Sequence, residues 1–146
     1  MCNQSTTIKT TTNSNQGLSV SDAKSIANLY GTMGYIGTKY SGNCVVLGDG
    51  DAAPTLDDCK LSGNVLSTIT YNADVTRENE DGGATITALY TITNTGTEDI
   101  TIKELGMIYN SGPVMFERTV LDEPVTIPAG GVGQVTYTIR MNYPTA

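Results

Sequence analysis

From residue 84 to residue 93 apolar and polar residues alternate at every place but Leu89. Ala84, Ile86, Ala88, Tyr90 and Ile92 are apolar, and threonines stand at 85, 87, 91 and 93 between them. Side chains that repeat every second residue share a face only in an extended strand, so this segment cannot be a helix. β-branched threonine suits the wetter face of such a strand. A strand with one apolar face is stable only when that face is covered, which already asks for a second layer.

Other segments repeat the pattern. Val65, Ser67, Ile69, Tyr71, Ala73 and Val75 alternate with mostly polar neighbours, and a charged turn from Arg77 to Gly83 joins them to the first strand. Asn94-Thr95-Gly96 makes the next turn. Ile100 and Ile102 then run in one phase and Leu105, Met107 and Tyr109 in the other. A one-residue phase change near Glu104 is what a β-bulge produces. Val114, Phe116, Arg118 and Val120 form a further strand, and Val125 and Ile127 lead into Pro128-Ala129-Gly130-Gly131, a turn whose glycines can take positive φ. Val135, Tyr137, Ile139 and Met141 close the set against outward Thr136, Thr138 and Arg140. Upstream, Tyr35 to Tyr40 and Asn43 to Leu47 read as short strands, and Thr55 to Leu61 as a single helical turn or an irregular crossover.

Only residues 19–30 have a helical period. Ala23, Ile26, Ala27 and Tyr30 share one face, Ser19 and Asp22 have capping-box spacing, and Gly31 supplies a stop. The expected fold is therefore all-β: an antiparallel sandwich, immunoglobulin-like or jelly-roll, with one short N-terminal helix that covers an open end or edge. Residues 17–146 would form this domain. Residues 1–16, almost wholly Thr, Asn, Ser and Gln, cannot bury enough apolar surface to order themselves, so they are expected to be a flexible or partner-docked arm.

Charge and residue types exclude several functions. The 146 residues carry a net charge of -7, which opposes a grip on nucleic acid or anionic membrane. The absence of histidine removes Ser-His-Asp and Cys-His catalysis and histidine metal sites. Cys2, Cys44 and Cys59 are an odd set without paired C-x-x-C spacing. Two buried thiols and one near the terminus are expected, with a Cys44–Cys59 bridge as the alternative. No run approaches the ~20 apolar residues of a membrane span. The first residues lack the charged start and apolar run of a signal peptide, so synthesis and folding in a cytoplasm are expected.

Four constellations invite a site. Asp49, Asp51, Asp57 and Asp58 could offer oxygens to calcium, but the loop lacks the glycine and closing glutamate of an EF-hand. Backbone hydrogen bonds from Asp49 and Asp51, with the other carboxylates solvated, are expected instead. The pairs Glu98/Asp99 and Asp122/Glu123 fall in turns, where exposure is the rule. Gly130-Gly131-Val132-Gly133 precedes a strand and opens no helix, so it lacks the anion site of a phosphate cradle. Tyr30, Tyr35, Tyr40 and Tyr109 could form a sugar platform, although tyrosine in a sandwich is more often half-buried. No catalytic, cofactor or metal residue is assigned, and the chain is expected not to be an enzyme.

Val45-Val46-Leu47-Gly48-Asp49-Gly50, then Ala53-Pro54-Thr55, Asp58 and Leu61, form one motif set. Thr93-Asn94-Thr95-Gly96, the run from Ile100 to Gly106, Arg118-Thr119-Val120, and Val125 to Ile139 form another. Together, over roughly residues 45–141, they resemble small virion structural proteins of tailed bacteriophages. The resemblance implies a non-enzymatic particle component: head decoration, head fibre or other auxiliary capsid protein, homo-oligomeric and bound to the major capsid or other virion proteins, with a collar or tail place open. The alternative is a tail or receptor-facing adhesin for host-surface glycan.

Overall fold

The computed structural model describes residues 6–9, 15–18, 31–40, 42–55, 58–80, 83–109 and 114–142. Of 6–9, 15–18 and residues 80, 109, 114, 116, 141 and 142 it describes the backbone alone. Among the described residues nine strands follow one another: β1 Thr6–Lys9, β2 Asn15–Leu18, β3 Ile36–Gly37, β4 Cys44–Gly48, β5 Ile69–Glu80, β6 Gly83–Asn94, β7 Ile100–Tyr109, β8 Val114–Ile127 and β9 Val132–Asn142. β1 and β2 pair with each other as an antiparallel ladder. The other seven form two sheets, β3-β4-β7-β8 and β5-β6-β9, antiparallel except for the short β3–β4 pair.

The two sheets pack face to face because their inner rows are apolar. Ile86, Ala88, Tyr90 and Ile92 of β6, with Val135 and Tyr137 of β9, meet Val45 and Leu47 of β4 and Ile102, Leu105 and Met107 of β7 in one core. Each large side chain buried there contributes about 1.5–3 kcal/mol relative to exposure. A cross-strand threonine pair on the outer face contributes a few tenths to about 1 kcal/mol, so the inner rows hold the sandwich.

The chain crosses between the layers three times, from β4 to β5, β6 to β7 and β8 to β9. Counting β3 to β9 as one to seven, the sheets read 1-2-5-6 and 3-4-7. An immunoglobulin constant domain would read 1-2-5-4 and 3-6-7, and a jelly roll needs an eighth strand. The architecture is thus a four-plus-three β-sandwich with its own strand order among the described residues.

The expected bulge near Glu104 is present. Ile102 pairs with Val125 but Glu104 with Val120, so two steps on β7 match five on β8. Ile102 and Leu105 consequently both reach the central core. A second register shift, between Met107 and Ile108, had no sequence signal.

Three expectations need correction. The helix expected over 19–30 lies outside the described residues, but Gly31, expected as its stop, is itself helical together with Thr32 and Met33, and Gly34 and Tyr35 close this turn with hydrogen bonds to the Gly31 and Thr32 carbonyls. The charged segment after Val75 is strand up to Glu80, whose pairing with Gly83 leaves only two residues between β5 and β6. Val65 makes an isolated bridge to Gly48, and the regular strand begins four residues later.

Candidate interaction surfaces

The outer face of the four-stranded sheet is not a surface. Cys44, Val46, Ile108 and Met115 point away from the central core and form a second one with Leu61, which the 49–66 crossover lays over them. The approach is close enough to demand glycine. A Cβ on Gly50 would stand 2.2 Å from the Gly63 nitrogen, and one on Gly48 would stand 2.6 Å from Leu61 Cδ1. The crossover is therefore a third layer, seated on two sheet strands.

Two buried charges clamp it. Glu104 is on β7 beside the bulge, on the same outward face, and is 0% exposed. Its Oε1 accepts the amides of Gly50 at 3.1 Å and Gly63 at 2.7 Å. Its Oε2 accepts the Ser62 amide at 3.0 Å, the Ser62 hydroxyl at 3.2 Å and Arg118 Nε at 2.6 Å. Arg118, on neighbouring β8, donates its Nη1 to Asp58 at 2.7 Å and its Nη2 to the Ala52 carbonyl at 2.5 Å. Desolvating such charges costs several kcal/mol each, and only a full set of short, charge-assisted bonds offsets that. Burial by itself pushes the Asp58 carboxyl up. The Thr55 amide, the Arg118 guanidinium and the Thr55 hydroxyl outweigh it and hold the group below its ordinary 3.8.

The acidic loop singled out in the sequence is thus tied to the rest of the chain. Asp49 accepts the amide of Asn64 at 2.6 Å as expected, whereas Asp51 pairs with the Lys103 ammonium at 3.2 Å on the surface, which corrects the backbone bond expected for it. Asp58 is bound to Arg118 and is not simply solvated, which corrects the expectation for it; Asp57 lies outside the described residues. Sequence spacing could not have found Glu104 and Arg118, whose partners lie 14 to 66 residues away. Nothing in the sequence sets these two charges apart from Lys103, Glu117, Asp122 and Glu123 on the same strands. Among the described residues no group of three or more Cys, Asp or Glu side chains is placed to hold a metal ion. A carboxylate with five donors on it has no lone pair free to take a proton from a substrate or to act as a nucleophile.

The remaining expected residues are dispersed. Asp122 and Glu123 are exposed in the widened part of β8. Asp99 accepts the Ala129 amide, and Glu98 gives its carbonyl to Asn94 Nδ2. Gly130 has the positive φ expected of the turn, 70°. Tyr35 is 63% exposed, whereas Tyr40 receives the Leu61 amide at 2.8 Å beneath the crossover; Tyr30 and the Tyr109 side chain lie outside the described residues. Cys44 and Cys59 are buried and not joined in a disulfide, and Cys2 lies outside the described residues. Among the described residues no helix is long and apolar enough to cross a membrane.

At the far edges of the two sheets, Tyr137 of β9 donates its hydroxyl to Glu117 of β8, and the Thr119 hydroxyl donates to the same carboxylate. Burial, with the Glu117 charge beside it, pushes the Tyr137 phenol far up. By contrast, no other described segment is laid over the outer face of β5-β6-β9. Threonine and glutamine side chains brace one another there, Thr87 to Thr138 at 3.3 Å and Gln134 to Thr91 at 3.3 Å, and Leu89 is 37% exposed among them.

Compared with known proteins, the chain matches no family, no curated protein and no solved structure.

Proposed function

We propose that the chain is a non-enzymatic structural component of a tailed-bacteriophage particle, a head-decoration, head-fibre or auxiliary capsid protein that works by binding other virion proteins. The observation that carries this reading is the division of its polar groups. The buried charges are spent on holding the crossover, and the wide polar face left exposed is rigid β-sheet. A surface of that kind serves adhesion between proteins, where rigidity limits the entropy lost on binding. The resemblance of residues 45–141 to phage virion proteins supplies the particle. The net charge of -7 favours solubility before assembly and keeps the protein off the packaged genome.

Particles purified by density gradient from a lysate whose genome encodes this sequence test the proposal. Stoichiometric amounts of the chain in the particle band, retained after a high-salt wash, are expected. Recovery only from the soluble lysate, with intact particles lacking it, would overturn the reading.

A further inference from the structure

Bareness alone does not say what covers the β5-β6-β9 face; its charge placement does. Leu89 lies at the centre of the outward row of β6, midway between Thr85 and Thr93, with Asp74 beside it on β5 and Thr136 on β9. At one end of the face the cross-strand row reads Glu78, Thr85, Arg140. The acid is on one edge strand and the base on the other, and both are exposed.

We propose that this face is the contact through which two copies of the chain pair, about a two-fold axis running along β6. In a two-fold interface each contact of residue i with residue j recurs as j with i, and only residues on the axis meet their own mates. With the axis along β6, β5 of one copy lies over β9 of the other. Glu78 then meets Arg140 of the second copy, the reciprocal pair forms as well, and the two Leu89 side chains meet at the centre. With the axis across the strands, β5 lies over β5 and Asp74 faces Asp74. Like charges in direct opposition disfavour that arrangement. Packed sheets lie about 10 Å apart and cross at about 30°. The offset this gives at the ends of the face is within reach of Glu78 and Arg140, both long side chains.

The face also suits self-contact by charge: among its described side chains Asp74 and Glu78 against Arg140 leave one negative charge, in a chain of -7. Its size sets the strength. Nine residues along β6 at about 3.3 Å, across three strands at about 4.8 Å, give about 430 Å² per copy. A stable dimer uses about 800 Å² per partner, so pairing is weak in dilute solution and effective where copies are held close together. The pairing does not depend on the virion reading and survives its failure.

Sedimentation of the full chain from about 10 µM to about 1 mM at low salt tests it. Wild type is expected to shift toward the mass of two chains over that range. Glu78→Arg and Arg140→Glu should each weaken association about tenfold or more. An equimolar mixture of the two variants should recover it, because each supplies the sign the other lacks. Leu89→Asp should weaken association too. Both charge positions are exposed on strands, so circular dichroism should show both variants folded. A wild-type chain that stays monomeric throughout, or a mixture that associates no better than its components, overturns the proposal. So does association that none of the substitutions alters, which would put the contact on another surface or partner class.

Discussion

At the level of single residues, the chain concentrates its polar energetics in a few buried groups. Glu104 and Arg118 are the clearest. Removing one member of a buried pair strands the other, and costs about 3–5 kcal/mol in comparable settings. Glu104→Ala and Arg118→Ala are each expected to lower unfolding free energy by about that much, measured by urea denaturation. Lys103→Ala, which breaks only the exposed pair with Asp51, should cost under about 1 kcal/mol. Equal costs for the buried and exposed pairs would mean that Glu104 is not the clamp.

Buried phenols set the alkaline limit. Tyr40, Tyr90 and Tyr137 all have hydroxyls raised above the ordinary 10.0, in each case first through burial. A group whose folded value is raised contributes stability below its unfolded value and loses it as pH rises toward the folded one. Stability is therefore expected to be flat below about pH 9 and to fall above about pH 10. The share of phenolate absorbance that Tyr90 and Tyr137 contribute, read as the difference from Tyr90→Phe and Tyr137→Phe, should rise together with unfolding, and Tyr137→Phe should make the fall shallower. A share that rises well before unfolding would show that these hydroxyls are open to water. Asp58 acts with the opposite sign at the acid end, where its stabilisation disappears as pH falls through its lowered value.

Elements show where local signals sufficed and where they did not. β6 and β9 were legible because the inner residues alternate without interruption and the partners are regular. The phase change on β7 was legible because it moves apolar residues, Ile102 and then Leu105, onto consecutive inward places. The second shift escaped because its extra residue falls on β8 among side chains of mixed polarity. The 49–66 crossover could not be read as a layer, since the glycines that permit it and the charges that hold it are far apart in sequence. The glycines give a direct test. Gly50→Ala drives a Cβ into the Gly63 backbone, which cannot move without releasing Glu104, and should cost about 3 kcal/mol and expose the crossover to proteolysis. Gly106→Ala meets the flexible end of Met115 at 2.7 Å and should cost nearer 1 kcal/mol. A reversed order would place the strain elsewhere. At the opposite end, Asn94 binds the Glu98 and Ile127 carbonyls and the Gly96 amide, so it ties two of the layer crossings together. Asn94→Ala leaves those groups unpaired, at an expected cost of about 2–4 kcal/mol.

Among the described residues the molecule is a two-layer sandwich with a third layer on one side and an uncovered sheet on the other. That asymmetry links structure to proposed use: one outer face is sealed by the clamped crossover, and the other is left for contact. Residue types alone excluded histidine chemistry, and the sandwich could be read from periodicity. The sealed face could not be read, because it depends on which strands become neighbours. The most direct measurement is a side-chain-resolution reconstruction of the intact particle encoded with this sequence. Density for the sandwich, with the β5-β6-β9 face against a protein neighbour and the crossover turned away from it, is the expected result. A particle without this chain, or one in which it touches its neighbours through the sealed crossover while the bare sheet faces solvent, would contradict the account.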